Sequence, residues 1–192
     1  MYKLCKSEQS AARQRQFELG LLEMMGQKRY DDITVSELCD FLKIPRKSFY
    51  RYFSSKDGAL HALIDHTMMN YEGFNLVYAN GERRTPVREL QQFFLFWMEH
   101  KSLLDALAKS GMSGTLVERA MGYSSGSVSS SRFLQDETQF ARQLVMLFCI
   151  SGLMSMVLTW HHDGYPQSAE QMAAIAARLV TQPLFPNLQQ FF

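Results

Sequence analysis

The sequence predicts an all-α protein with a small N-terminal three-helix domain and a larger helical C-terminal domain. Three observations lead to this prediction. Apolar residues recur three and four positions apart through most of the 192-residue chain. Two capping boxes, Thr34-x-x-Glu37 and Ser168-x-x-Gln171, mark helix starts. No stretch shows the alternation of a half-buried strand, and no internal repeat appears.

Charge and cysteine content narrow the class of protein. The formal net charge is +1, but residues 1–60 hold eleven Lys and Arg against eight Asp and Glu. This mild basic bias favours a nucleic-acid contact near the N-terminus. Cys5, Cys39 and Cys149 form no Cys-x-x-Cys pair, which argues against a zinc site or a disulfide framework. The first residues lack an apolar run of signal-peptide length, so a cytoplasmic protein is expected.

Helix caps and one proline define the N-terminal domain. Ser7 or Ser10 can cap a first helix. The capping box at Thr34 begins a second helix, which Pro45 ends because it disfavours helical geometry in the residue before it. Pro45 also suits the opening of a third helix. Two short helices joined by a tight turn over residues 34–53 are typical of a helix-turn-helix.

The helix after this turn has two faces. Phe49 and Phe53, four residues apart, form an apolar face that can pack on neighbouring helices. The opposite face suits a DNA major groove, where Arg and Lys read guanine edges and hold phosphates. It consists of Arg46, Lys47, Tyr50 and Arg51. The alternative is the solvated basic face of an ordinary amphipathic helix, and the capped preceding helix favours the helix-turn-helix.

These residues resemble the DNA-binding domain of the TetR family of transcriptional regulators. The resemblance lies in Thr34-Val35, Arg46-Lys47-Ser48-Phe49-Tyr50-x-Tyr52-Phe53 and Ser55-Lys56-Asp57-x-x-Leu60, and it covers about residues 8 to 65. One departure is Lys43, which stands where the family often has a glycine in a left-handed turn. The resemblance implies a DNA-binding site made of Thr34, Val35, Arg46, Lys47, Ser48, Tyr50, Arg51, Tyr52 and Lys56.

Within this set we expect two roles. Arg46 and Lys47 lie early in the helix and are expected to reach base edges. The remaining polar residues are expected to position the protein on phosphates, and Lys56 would add its charge to the N–H groups of a helix N-terminus. The positioning residues are Thr34, Tyr50, Tyr52 and Lys56.

The chain is expected to divide near residue 60. Residues 1–60 form the helix-turn-helix domain, and residues 61–192 form a helical regulatory and dimerisation domain. Aromatic-rich helices are predicted from residue 86 to about residue 109. Residues 111–131 are expected to be the least structured part, and the Gly- and Ser-rich stretch 122–131 within them predicts a mobile loop. A cavity among the aromatic side chains could bind an apolar small-molecule effector, and this candidate pocket consists of Phe93, Phe94, Trp97 and Met98.

A helical hairpin is predicted at the C-terminal end. Asp136 or Glu137 can open a long helix to about His161 that is apolar nearly all round. A transmembrane span is the alternative, but the apolar stretch is shorter than the roughly 20 residues required and small polar residues interrupt it. A partner chain, rather than a membrane, is therefore expected to cover one face. The capping box at Ser168 begins the second helix of the hairpin.

The hairpin resembles the C-terminal region of a TetR subgroup common in Firmicutes. The matching segments are Ile150-Ser151-Gly152-Leu153, Trp160-x-x-x-Gly164-x-Pro166 and Glu170-x-Met172-Ala173. The resemblance implies a four-helix bundle between two copies of the chain. Small residues recur every four positions and let another helix approach closely. The predicted dimer interface consists of Ser151, Gly152, Ser155, Thr159, Ala173 and Ala177.

No enzyme chemistry is indicated, because Gly-x-Ser-x-Gly, His-Glu-x-x-His and phosphate-loop motifs are absent. Adjacent histidines on a helix point about 100° apart, so His161 and His162 are interpreted as solvated turn residues rather than a metal site. No cofactor is expected. The predicted function is a homodimeric transcriptional repressor that binds an inverted repeat in double-stranded DNA. The alternative is a helical protein-interaction module whose basic helix docks an acidic partner.

Overall fold

A computed structural model describes residues 2, 3, 5, 7–78, 85–127 and 138–181, with side chains at all of these positions except 72–78, 123–127 and 180–181. These residues form an all-α structure with one short 3-10 helix, η1, after the first α-helix. The helices are α1 Glu8–Gln27, η1 Tyr30–Asp32, α2 Val35–Leu42, α3 Arg46–Tyr52, α4 Lys56–Tyr78, α5 Pro86–Glu99, α6 Lys101–Lys109, α7 Ser113–Ser127, α8 Gln139–His162 and α9 Ala169–Thr181. The predicted fold class is confirmed.

The helix starts follow the predicted caps. Thr34 and Glu37 form both bonds of a capping box: the Glu37 N–H donates to Thr34 Oγ1 at 3.1 Å, and the Thr34 N–H donates to Glu37 Oε2 at 2.8 Å. Ser168 and Gln171 form the same pair of bonds before α9, at 2.8 and 3.2 Å. Ser7 caps α1 by accepting from the Ser10 N–H. Each cap satisfies N–H groups that the helix itself leaves without a partner.

The turn between α2 and α3 is left-handed. Lys43 has φ 54° and ψ 41°, a conformation that costs a residue with a Cβ atom about 1–2 kcal/mol. The Ile44 N–H donates to the Cys39 carbonyl at 2.9 Å, which closes the last turn of α2 in the manner of a Schellman motif. Ile44 is buried, and Pro45 is the N-cap residue of α3. Only residues 43–45 therefore separate α2 from α3.

Aromatic rings anchor α3 on the rest of the domain. Phe17 of α1 and Phe49 of α3 are fully buried and meet edge to face, with ring centroids 5.4 Å apart. Phe53 completes the cluster, 5.1 Å from Phe49 and 6.2 Å from Phe17. Because one side of α3 is held in this way, its opposite side must face solvent.

The hydrophobic core continues from the helix-turn-helix into the C-terminal half. Helix α4 runs without interruption through residue 60, where a domain boundary is predicted. It packs on α1, α5 and α7. The division into residues 1–60 and 61–192 stays a prediction.

One expectation was wrong. Residues 113–127, in the stretch expected to be least structured, form helix α7, which includes residues 122–127 of the predicted loop. Residues 128–131 of that loop lie outside the described residues. Gly and Ser are weak helix formers in isolation. Tertiary packing outweighs this preference, because Leu116 and Ala120 are buried and α7 lies along α4 and α8.

The two helices of the C-terminal hairpin pack on different neighbours, α8 on α7 and α9 on α5. The hydroxyl of Thr138 caps α8, whereas Asp136 and Glu137, the predicted caps, lie outside the described residues. Among the described helices, only α8 is long and apolar enough to span a bilayer by length and composition. Much of its surface is left uncovered by this chain, since Phe140 and Phe148 are 70% and 73% exposed.

We predict that Lys43→Gly stabilises the protein by about 1 kcal/mol, because glycine adopts the left-handed turn without the Cβ penalty. Urea unfolding monitored by circular dichroism measures the change. Lys43→Ala is the matched control, since it removes the ammonium but keeps the Cβ atom, and it should leave stability near that of the wild type. An equal gain in both variants would assign the effect to the lysine charge instead.

Candidate nucleic-acid interface

The cationic side chains predicted for one face of α3 lie together on the outer side of this helix. Phe49 is buried in the core and sets the rotation of the helix. Ser48 is half-buried at the edge of the opposite face. The exposed residues of that face are Arg46, Lys47, Tyr50 and Arg51. A short helix thus presents three positive charges and a phenol to solvent on one side.

A hydrogen bond joins this face to α2. Arg46 Nη1 donates to Ser36 Oγ at 3.0 Å, so the guanidinium is held at the start of α3 with further N–H donors still available. Sequence reasoning missed Ser36. The two residues are ten positions apart on different helices, and only the angle between those helices brings them together.

Thr34 and Val35 lie at the start of α2. The Thr34 hydroxyl donates to Glu37 Oε2 at 2.8 Å, and Lys28 Nζ donates to Glu37 Oε1 at 2.8 Å. The Lys28 hydrogen bond, followed by the bonds from Thr34, lowers the pKa of Glu37 from 4.5 to about 2. Val35 is half-buried. Thr34 is exposed but already engaged in the cap, which fixes the entry of the chain into α2.

Tyr52 turns away from this face. It is only 7% exposed, and its ring lies 6.3 Å from that of Phe17. Tyr50 and Tyr52 are two residues apart and therefore about 200° apart around the helix, so both cannot face the same groove. Tyr52 therefore packs against the core of the domain, and its predicted phosphate contact stays a prediction.

Lys56 also has partners within the chain. Its Nζ donates to the carbonyls of Tyr30 and Ile33, both at 2.6 Å, and lies 4.0 Å from the centre of the Tyr30 ring. Burial lowers the pKa of Lys56, while nearby carboxylates, Asp31 first among them, oppose that shift. An ammonium group has three donors, and two of them bind these carbonyls. The structure thus gives Lys56 a clamping role between η1 and α4.

The Tyr30 side of the clamp is buried as well. Its hydroxyl donates to Asp57 Oδ1 at 2.5 Å, and burial together with this bond raises the pKa of the phenol. The Tyr30 N–H donates to Ser110 Oγ at the end of α6. The loop before the helix-turn-helix is therefore tied to both α4 and α6.

The residues of the predicted effector pocket lie mostly in the hydrophobic core. Phe93, Phe94 and Trp97 are buried, and Met98 is 40% exposed on the outside. Phe94 meets the Trp160 ring of α8 edge to face at 5.6 Å. The structure therefore brings three of the four residues together and places Met98 apart from them.

The predicted dimer residues divide between surface and interior. Gly152, Ser155 and Thr159 are exposed on α8. Ser151 is half-buried, and its Oγ lies 3.2 Å from the sulfur of Met121 on α7. Ala177 is half-buried, whereas Ala173 is fully buried within the chain and has no surface to offer a partner.

His161 is not the solvated residue that the sequence indicated. Its side chain is 10% exposed, and its Nε2 lies 2.7 Å from Asp105 Oδ1 on α6. Lys101 binds the other oxygen of Asp105, and these two hydrogen bonds, that of Lys101 first, lower the pKa of the Asp105 carboxyl. His162 is 87% exposed, as expected.

A cationic helix held by a tight turn behind a capped helix defines a helix-turn-helix DNA-binding domain. Residues 20–63 match the family model described as "Bacterial regulatory proteins, tetR family". These residues span most of the helix-turn-helix, so this part of the chain is similar to the DNA-binding domain that the family model describes. A comparison with curated protein sequences found no match.

Solved structures support the fold over the whole chain. The fatty acid degradation regulator FadR from Bacillus halodurans is 14% identical, with a TM-score of 0.56 over 94% of this chain and 98% of that one. The dihydroxyacetone kinase operon activator DhaS is 13% identical, with a TM-score of 0.53 over 88% and 93%. A TetR-like regulator from Rhodococcus sp. RHA1 is 15% identical, with a TM-score of 0.51 over 94% and 100%.

We predict that Lys56→Met lowers the free energy of unfolding by about 1–3 kcal/mol, because two buried carbonyls lose a charged donor. Urea unfolding measures the loss, and Lys47→Met, at an exposed position, serves as the control. A variant of unchanged stability whose DNA binding has a salt slope flatter by about one unit would instead support the phosphate contact expected from the sequence.

Proposed function

We propose that the protein is a homodimeric, sequence-specific DNA-binding repressor of transcription that acts on an inverted repeat. The observation that carries this proposal is the exposed cationic face of α3, held in one orientation by a buried aromatic cluster. Selection of genomic DNA fragments by the purified protein, followed by gel-shift titration, tests it. A protein that retains no fragment above background would overturn it.

The α3 face suits both parts of DNA recognition. Arg46 and Lys47 are exposed at the start of the helix, where side chains of a recognition helix reach base edges. Arg51 and Tyr50 lie further along the same face and suit phosphate oxygens. Because Phe49 and Phe53 fix the helix, little conformational freedom is lost when this face enters a groove.

The alternative function, docking of an acidic protein partner, uses the same cations. The two functions differ in how strongly the binding affinity depends on salt concentration. DNA binding has a steep salt dependence because of the regularly spaced phosphates, which a protein surface does not present. Gel shifts of selected fragments against scrambled DNA at two salt concentrations therefore separate the two functions.

A dimer is proposed because one recognition helix reads too few base pairs to locate a site in a genome. Two copies with α3 helices about 34–36 Å apart would contact successive turns of one DNA face. The exposed face of α8 supplies a surface for such pairing. Along it lie, at helical spacing, Phe140, Leu144, Phe148, Gly152, Ser155 and Thr159.

This face favours a protein partner over a membrane. Its exposed large apolar side chains end at Phe148, and small or polar residues follow it on the same face. A bilayer span needs about 20 apolar residues, whereas close helix packing benefits from small residues such as Gly152 and Ser155. Ile175 and Leu179 of α9 are also exposed and can extend the interface.

Repression follows from occupancy, since a dimer bound across a promoter excludes the polymerase. One of the structural neighbours carries the name of an activator, so a reporter fused to the selected promoter should be compared in cells with and without the protein. Higher reporter output without the protein supports repression, and lower output overturns it.

We also propose an apolar effector that enters at the rings of α5. Tyr71 of α4 meets Phe93 and Phe96 with ring centroids 5.8 and 5.2 Å away. A ligand that separates these rings would displace α4, which leads directly into the helix-turn-helix. Such a ligand shifts DNA affinity only by its preference for one position of α4.

We predict that Arg46→Ala costs about 1–3 kcal/mol of binding free energy on the preferred DNA site and less on random DNA, because a base contact carries sequence information. Fluorescence anisotropy on both DNAs measures the two losses. Arg178→Ala, which removes the same charge from an exposed position of α9, is the control. Equal losses on both DNAs would show that Arg46 contacts phosphate alone.

We predict that Ser155→Arg yields a monomer or weak dimer, because the interface would bury a cation without a partner at a cost of several kcal/mol. Sedimentation equilibrium and circular dichroism on one sample should show lost association with retained helix content. Ser102→Arg, the same change at an exposed position of α6, should remain a dimer. A Ser155→Arg protein that stays a tight dimer would remove α8 from the interface.

A further inference from the structure

A partly buried polar network joins the N-terminal segment to α4 and α7. Asp65 of α4 is 8% exposed, and its carboxylate is the centre of the network. Removing a carboxylate from water is unfavourable unless charged or polar partners surround it. Asp65 has two such partners, one 63 positions before it and one 54 positions after it in the sequence.

The first partner is Arg119 of α7. Its Nε donates to Asp65 Oδ1 at 2.8 Å, and its Nη2 donates to Oδ2. This two-bond arrangement is specific for the planar guanidinium and fixes the angle between the groups. The bonds to Asp65 are the largest cause of the raised pKa of Arg119. The ion pair therefore ties α7, in the C-terminal half, to the middle of α4.

The second partner is Tyr2. Its hydroxyl donates to Asp65 Oδ2 at 2.8 Å, and its ring packs edge to face on His66 at 5.7 Å. Burial, followed by the hydrogen bond to Asp65, raises the pKa of Tyr2 to about 12. The phenol is thus a permanent donor at neutral pH.

The backbone beside Tyr2 reaches the end of α3. Tyr2 forms an antiparallel bridge with Phe53, and the Lys3 N–H donates to the Tyr52 carbonyl at 3.0 Å. Tyr52 is the last residue of α3, and its carbonyl has no partner within that helix. The network therefore runs from Arg119 through Asp65 and Tyr2 to the C-terminal end of α3.

A separate hydrogen-bonded pair of side chains braces α4 on α1. His66 Nδ1 lies 2.9 Å from Glu18 Oε1, and Arg15 donates to Glu18 Oε2 at 3.0 Å. Glu18 is fully buried. This second pair keeps α1 and α4 together without Arg119, so loss of Arg119 need not unfold the domain.

We propose that Arg119, Asp65 and Tyr2 form a latch through which the position of α7 controls how firmly the end of α3 is held. While Arg119 is bound, its positive charge balances the negative charge of the Asp65 carboxylate. The carboxylate then accepts the hydrogen bond from the Tyr2 hydroxyl in a fixed geometry. When α7 moves, Asp65 is left as a buried charge with one neutral donor and must move towards water, because removal of one partner of a buried pair is strongly unfavourable. Tyr2 then loses its acceptor, and the bridge to Phe53 and Tyr52 weakens.

Through the latch, a movement in the C-terminal half would reach α3 by side-chain contacts as well as through the backbone of α4. Helix α7 packs on α8, the helix proposed to carry the dimer interface. Dimer formation or an effector that shifts α7 would therefore act on α3 through Asp65. This consequence for DNA binding rests on the proposed function, whereas the latch itself does not.

Amide hydrogen exchange measured by NMR tests the latch without DNA. In Arg119→Met, the Lys3 amide should exchange about threefold to tenfold faster than in the wild type, although Arg119 does not contact it. Tyr2→Phe should have a similar effect. The double variant should exceed the larger single effect only slightly, because both act through Asp65. Lys101→Met, which removes an ion pair within α6, is the control and should leave Lys3 unchanged.

Unchanged exchange at Lys3 in Arg119→Met, or full additivity in the double variant, would overturn the latch. Should Arg119→Met fail to fold, Arg119→Lys replaces it, because lysine keeps the charge but lacks the planar two-bond geometry, and its expected effect is smaller but in the same direction. Exchange in α9 serves as an internal reference for global unfolding.

DNA affinity tests the regulatory consequence on fragments that the wild type binds. Arg119→Met should weaken binding by about threefold to tenfold, and Lys101→Met should not. Faster exchange of the Lys3 amide together with unchanged DNA affinity would overturn the proposal that the latch controls DNA binding by α3. A wild-type protein that binds no DNA would instead refute the proposed function, while the exchange result would still decide the latch.

Discussion

The structure depends on the burial of one side of α3. This helix has only seven residues, far fewer than an isolated helix needs for stability in water. Its conformation comes from Phe49 and Phe53, which pack around Phe17, and from the turn that ends at Pro45. Every property proposed for the cationic face follows from this anchoring, since the same residues on a mobile segment would have no fixed direction.

Polar contacts at several points tie the anchored helix-turn-helix to the rest of the chain. Lys56 clamps η1 to α4, and Lys109 donates to the Gly26 carbonyl at the end of α1. Asp65 binds both Tyr2 and Arg119. The contacts of Lys56 and Asp65 are partly buried and charged, so they are specific in geometry, and the loss of one partner is costly. Together these contacts connect the helix-turn-helix to the helices of the C-terminal half.

Features that depend on neighbours in sequence were predictable. The capping boxes at Thr34 and Ser168 and the turn at Lys43 involve groups within about five residues, so their chemistry is visible in the sequence. Contacts between distant segments were not. Helix α7 was missed because its packing on α4 and α8 outweighs the low helix propensity of Gly and Ser. The pairing of His161 with Asp105 was missed because it joins residues 56 positions apart.

The candidate site shows the same division. By itself the sequence determined the all-α class, the helix-turn-helix and the cationic face, because helical periodicity and local caps decide which residues share a face. Only the tertiary structure decided that Tyr52 and Ala173 face the interior, that Lys56 binds backbone carbonyls, and that Ser36 meets Arg46. Residue type indicates which partners a side chain can accept, but the packing angles between helices select the partner it meets.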